Sequence, residues 1–229
     1  MSDVPRILIA GATGLVGNRV MEAAVGREDL RLVALTRREA PMPPGARMDM
    51  LVADTGRWDE AVAQVTPAAA ICALGTTWRK AGRDEAAFRA VDEELVLRFA
   101  RAALTAGARN FVFVSSVGAD PQAKAFYLRT KGQVEERLRK LGFQRLDILR
   151  PGLLRGPRSG DRRVAERAGI LVSPLANMLL HGSRRPYRAI DARTVARAAL
   201  QCAGEKARGT FVHEYDAIRR LARQFETRV

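Results

Sequence analysis

The chain has 229 residues, enough for one large α/β domain or such a domain with a small lobe. Its 47% hydrophobic content is that of an ordinary folded protein, and no run approaches the roughly 20 apolar residues of a membrane helix. The net charge is +14, yet 34 of the 39 cationic residues are arginines spread along the whole length, so the charge reads as compositional bias and a nucleic-acid partner is not expected.

In chain order, Arg6-Ile-Leu-Ile-Ala10 is the short apolar run of a buried parallel strand. It leads into Gly11-Ala12-Thr13-Gly14-Leu15-Val16-Gly17 and then a helical stretch, Asn18 to Gly26. Strand, glycine turn and helix together set backbone N–H groups and a helix N-terminus against a pyrophosphate. Gly11 permits the tight turn, Gly14 lets backbone approach phosphate, and Gly17 lets the helix pack on the strand. Leu30 to Thr36 and Met48 to Val52 read as the second and third strands, separated by a loop at Pro41 to Gly45. Arg57 to Val65 reads as a short helix, Ala68 to Ala73 as the fourth strand, and Asp84 to Ala106 as one long helix closed by Gly107. Asn110 to Ser115 is the fifth strand, Ala123 to Leu141 a helix, and Arg145 to Arg150 the sixth strand. After Pro151-Gly152 the pattern loosens. Residues 155–185 are basic, hold one helical stretch around Leu171 to Leu180, and read either as a substrate lid or as a surface excursion. Asp191 is placed to cap a helix over Ala192 to Cys202, followed by a strand at Gly209 to Glu214 and a helix at Asp216 to Phe225. This alternation predicts a single Rossmann-like doubly wound α/β domain: a parallel sheet, helices on both faces, and a small C-terminal segment on the substrate side.

The chemistry concentrates in Tyr127-Leu-Arg-Thr-Lys131. Residues four apart share a helix face, so the ammonium lies near the phenol, where positive charge favours the phenolate. Such a tyrosine can give a proton to a carbonyl oxygen as hydride arrives, or take one in reverse. Ser115-Ser116 follows the fifth strand, 11 or 12 residues before Tyr127, and one of these hydroxyls can hold the substrate oxygen. At the end of the second strand, where an NAD-selective site carries Asp or Glu, this chain has Thr36-Arg37-Arg38. Two guanidiniums suit a 2′-phosphate, although arginine pairs also occur at 162–163, 184–185 and 219–220.

Other residues read more plainly. Cys72 and Cys202 lack disulfide or zinc spacing, and Cys72 is expected to pack as a small hydrophobe. His181 and His213 are far apart in sequence and are expected in surface or packing roles rather than at a metal. Asp92 reads as a solvated charge, and Trp78 either lines a substrate pocket or packs as an ordinary aromatic. The sparse cysteines and the absence of a secretory pattern at the start predict a cytoplasmic protein with no membrane partner.

In its glycine turn, serine pair and Tyr127-x-x-x-Lys131, the chain resembles the short-chain dehydrogenase/reductase family. The phrases Cys72-Ala-Leu-Gly-Thr-Thr77, Val114-Ser-Ser-Val-Gly-Ala-Asp120, Phe126-Tyr-Leu-Arg-Thr-Lys-Gly132 and Leu149-Arg-Pro-Gly-Leu153 narrow the likeness. They resemble the atypical branch that includes the Tat-interacting oxidoreductase and its bacterial relatives. The resemblance runs from about Arg6 to Gly156. It implies NADP(H) as cofactor and a small carbonyl compound as substrate. Tyr127 would be the proton donor or acceptor, and Lys131 would bond the nicotinamide ribose. Ser116 would orient the substrate, with Ser115 the alternative. Leu74, Gly75 and Thr76 would flank the adenine ribose and pyrophosphate, Asp54 would meet the adenine amino group, and Leu153 would lie near the nicotinamide. Two other functions stay open: an NADPH-sensing interaction protein, and a sugar-nucleotide epimerase or dehydratase. The chain would act as a monomer or a homodimer.

Overall fold

The computed structural model describes residues 4–156 and 181–228. Its strands are β1 (Arg6–Ala10), β2 (Arg31–Thr36), β3 (Asp49–Val52), β4 (Ala69–Cys72), β5 (Asn110–Val114), β6 (Arg145–Leu149), β7 (Leu154–Arg155), β8 (Ile190–Asp191) and β9 (Gly209–His213). Seven form one sheet in the order β3-β2-β1-β4-β5-β6-β9, every neighbouring pair parallel. A separate parallel pair, β7 with β8, was not foreseen from the sequence. The helices are α1 (Leu15–Ala24), α2 (Trp58–Val65), α3 (Glu85–Arg89), α4 (Val96–Thr105), α5 (Phe126–Arg139), α6 (Ala192–Ala203) and α7 (Tyr215–Glu226).

Strand residues point alternately to the two faces, and here both faces are apolar. Ile7, Ile9 and Ile71 join one buried layer with α1, α6 and α7, while Leu8, Ala10 and Cys72 join the other with α2, α4 and α5. Helices on both faces of a parallel sheet make this a Rossmann-like α/β fold, as the alternation of strand-like and helical stretches predicted. Burial of Cys72 pushes its thiol pKa up to about 12, in keeping with a packing role.

The described elements differ from the sequence reading in three instructive places. Helix α1 starts at Leu15 rather than Asn18, because Gly14 is extended and its carbonyl already accepts from Asn18 N–H at 2.9 Å. Helix α5 starts at Phe126 rather than Ala123, because Asp120 holds the preceding residues in a turn, accepting from Gln122 N–H at 2.7 Å and from Ala123 N–H at 3.0 Å. The single long helix is interrupted: α3 passes into a π-helical turn at Ala90–Leu95 and then into α4. That wider turn lets the neighbours Asp92 and Glu93 both be buried, Glu93 against Arg89 and Arg137 at 2.5 and 2.6 Å. The expected lid and its helix near 171–180 lie outside the described residues, apart from Arg155, Gly156 and the 3₁₀ turn at Gly182–Tyr187.

A buried polar knot ties the far edge of the sheet. Asp147 on β6 accepts from Arg145 Nε at 2.6 Å and Nη2 at 2.9 Å, and its Oδ1 lies 2.7 Å from His213 Nε2. Asp147, Cys202 and His213 bring ligand atoms within 4.8 Å of one another, but the carboxylate is spent on the Arg145 guanidinium, so the knot is structural. His213 is buried, its ring stacked on Phe211 and bonded to Asp147. Removing one partner of a buried pair leaves a charge uncompensated, so Asp147→Ala is expected to lower the unfolding free energy by about 3–5 kcal/mol. Urea denaturation checks this; an unchanged midpoint would show that the knot adds nothing.

Candidate functional site

Strand order reverses between β1 and β4, so the loops leaving these neighbours diverge and open a cleft at the carboxyl edge of the sheet. Two cavities occupy it, of about 450 and 580 Å³, and they share Thr13, Gly14, Ala73, Leu74, Gly75, Thr76 and Lys80.

The floor is the glycine turn. Gly11 has φ +85°, and a Cβ there would stand 2.5 Å from the Ala73 carbonyl carbon and oxygen. A Cβ on Gly17 would stand 2.0 Å from the Gly11 carbonyl oxygen, so this glycine sets the distance between α1 and the turn. Helix α1 begins with no side-chain cap, and Thr13 to Val16 line the 450 Å³ cavity. Unclaimed first-turn amides beside a cavity fit a diphosphate.

The larger cavity continues from Gly11 and Ala12 along the end of β2, where Arg37 and Arg38 are exposed on its wall. Asp54 does not border it. Asp54 lines an adjoining cavity of about 350 Å³, which Arg37 also borders. Leu153 borders neither main cavity and is exposed, whereas its neighbour Leu154 lines the 450 Å³ one.

At the other end of the cleft, Tyr127, Lys131 and Ser115 line one cavity. Lys131 is buried, and its Nζ lies 2.9 Å from Asp92 Oδ1. Asp92 Oδ2 also accepts the Thr76 N–H at 2.7 Å, so one carboxylate joins α5 to the loop after β4. The expectation that Asp92 is a solvated charge is corrected: the π-helical turn carries it fully inside. Burial works against the Lys131 ammonium, but the nearby Asp92 and Tyr127 outweigh it and hold the pKa above the ordinary lysine value.

The two serines diverge, as neighbours on an extended segment do. Ser115 N–H bonds the Leu149 carbonyl at 2.8 Å, and its hydroxyl donates to Glu135 Oε1 at 2.5 Å. Ser116 is outside the cavity lining, and its hydroxyl donates to the Val117 carbonyl at 3.3 Å. Glu135 is buried and clamped by Arg150, through Nε at 3.0 Å and Nη2 at 2.6 Å. Sequence reasoning missed both Asp92 and Glu135. Glu135 had a readable signal, since Tyr127, Lys131 and Glu135 follow each other at helical spacing on one face of α5.

Comparison with known proteins agrees with this geometry. A family model described as NAD(P)H-binding matches residues 11–205. The chain is 33% identical over 208 residues to the protein fmp52, mitochondrial, of Emericella nidulans, covering 88% of each chain. It is 35% identical over 208 residues to the Aspergillus fumigatus protein of the same name, covering 88% of this chain and 87% of that one. The expected cytoplasmic placement is corrected by these relatives, which are named as mitochondrial proteins. Among solved structures, the fold resembles a Thermus thermophilus UDP-glucose 4-epimerase in complex with NAD, with TM-score 0.69, 18% identity, and coverage of 97% of this chain and 82% of that one. A Thermotoga maritima UDP-glucose 4-epimerase gives TM-score 0.68 at 15% identity, covering 97% of this chain and 82% of that one. The chain belongs to the NAD(P)H-binding family.

Proposed function

We propose that this protein is an NADP(H)-dependent oxidoreductase that reduces a small carbonyl compound, with Tyr127 as proton donor. The observation that carries the reading is one cavity lined by Tyr127, Lys131 and Ser115 that shares its floor with the glycine turn. A dinucleotide bound along that floor would supply the hydride. Tyr127 gives its phenolic proton to the carbonyl oxygen. Lys131, kept charged by Asp92, favours the phenolate that remains. Ser115 is the better candidate to hold the substrate oxygen, because it lines the cavity and Ser116 does not. Its hydrogen would swing from Glu135 to that oxygen, while Arg150 keeps the Glu135 carboxylate neutralised. Arg37 and Arg38 favour a 2′-phosphate at the other end of the cleft, with Asp54 in the adjoining cavity beside Arg37, while Leu154 rather than the exposed Leu153 lines the cavity that holds Tyr127.

Side-by-side calorimetric titration with NADPH and NADH tests the cofactor. NADPH is expected to bind at least about tenfold tighter, about 1.4 kcal/mol, and Arg37→Ala with Arg38→Ala should erase the difference. Equal affinity in the wild type would remove the arginine argument.

Turnover of a carbonyl panel tests the chemistry. Tyr127→Phe should abolish reduction while NADPH still binds. Ser115→Ala should lower kcat by roughly 10²–10³-fold, the usual cost of losing one oxygen-stabilising donor, with little effect from Ser116→Ala. Full activity in Tyr127→Phe would end the mechanism, and the reverse order of the serines would move the role to Ser116.

The buried pair makes its own prediction. Because the folded-state pKa of Lys131 is raised, the pair's contribution is fully present below the ordinary lysine pKa and fades as pH rises through the raised value. Asp92→Asn removes the main attraction and leaves burial acting, so the Lys131 pKa should fall and stability should begin to depend on pH under milder alkaline conditions. Breaking a buried pair costs about 3–5 kcal/mol. Urea melts between neutral and alkaline pH read both effects, and curves superimposable on the wild type would refute them.

A further inference from the structure

We infer that the substrate carries an aromatic ring beside its carbonyl and that Trp78 is the platform on which this ring stacks. The inference deepens the oxidoreductase reading above and rests on it. Trp78 lines the same 450 Å³ cavity as Tyr127 and Ser115, with 42% of its surface exposed. Exposing that much indole forgoes burial, so its position needs a reason.

The ring is not loose. Trp78 packs on Phe126 at 5.5 Å and on Phe88 at 6.4 Å, and Phe88 is completely buried. Arg89 and Arg129 lie over the Phe126 ring at 5.2 and 5.9 Å. The turn that presents Trp78 is tied by hydrogen bonds from Ala81 N–H to the Thr77 carbonyl and from Arg83 N–H to the Trp78 carbonyl, both 2.9 Å. Arg83 sits at φ +62° to close it, a conformation that a non-glycine residue adopts only under constraint. The result is a preorganised aromatic face, fixed before any ligand arrives.

The same cluster fixes the reacting phenol. Tyr127 meets the Phe88 ring edge-on at 5.8 Å, so platform and proton donor are braced by one buried side chain. Trp78 and Tyr127 flank the same Phe88 ring, at 6.4 and 5.8 Å, and line one cavity, so a ring against Trp78 would present an attached carbonyl on the Tyr127 side. Of the cationic side chains on this cavity, Lys131 is engaged with Asp92, and Lys80 lies in the stretch shared with the adenine-side cavity. The described walls therefore offer an aromatic surface to the substrate rather than a second diphosphate site.

The test compares acetophenone with cyclohexyl methyl ketone, which is of similar size but has no aromatic face. Dissociation constants are measured by calorimetry on the NADP⁺-loaded protein, where no reduction can occur. Acetophenone is expected to bind about three- to tenfold tighter, the worth of one aromatic pair. Trp78→Phe should keep most of that preference. Trp78→Ala should bring the two ketones within about twofold, with NADP⁺ affinity unchanged as the control for folding. Equal binding in the wild type, binding of neither ketone, or a preference that survives Trp78→Ala would overturn the inference. Reduction assays with NADPH separate it from the reading beneath it. A Trp78-dependent preference without any turnover sustains the aromatic site and removes the reductase; turnover of aliphatic and aromatic carbonyls alike does the reverse.

Discussion

A buried ammonium cannot stay charged without a partner, and Lys131 sits inside the apolar layer between the sheet and α5. Asp92, its close carboxylate among the described residues, comes from a different element, so the pair fixes where that element passes. Asp92 also holds the Thr76 backbone, which places the loop after β4 over the cleft. The loop then carries Trp78 to the cavity wall. One ion pair thus sets the mutual position of α5, the loop and the aromatic wall.

The opposite side of the cleft depends on steric fit alone. The turn after β1 touches the end of β4 at Gly11 and α1 at Gly17, with no room for a methyl group at either contact. Backbone against backbone leaves a rigid, uncapped helix end there. The cleft is therefore electrostatically locked at its Tyr127 end and sterically locked at its glycine-turn end.

Much of this was legible in the sequence because it rests on local patterns. The alternation of apolar runs gave the sheet, since each strand buries both faces and reads as a continuous hydrophobic stretch. Gly11 to Gly17 and Tyr127 to Lys131 were visible because their spacing alone creates the geometry. Asp92 was misread because its inward orientation depends on the π-helical turn, and an irregular turn leaves no periodic signature. The outward turn of Ser116 and the clamp of Arg150 on Glu135 were equally hidden, since one depends on how β5 meets β6 and the other joins the end of β6 to α5. The β7–β8 pair joins segments 36 residues apart in the chain, beyond the reach of any local pattern.

The wide turn at Ala90–Leu95 has one more consequence. It holds one residue more than a regular helix needs over the same path. Deleting one residue there would restore the regular hydrogen-bond ladder of an ordinary α-helix. Because the wide turn takes up the extra residue, such a deletion would leave the segments before and after it in phase and remove only the turn itself. Phe88 would keep its place against α5, but Asp92 and Glu93 could no longer both face inward. At this point the site is specified by the length of the chain as much as by its side chains. A shortened variant can remain well folded and still lose the alignment on which the cleft depends.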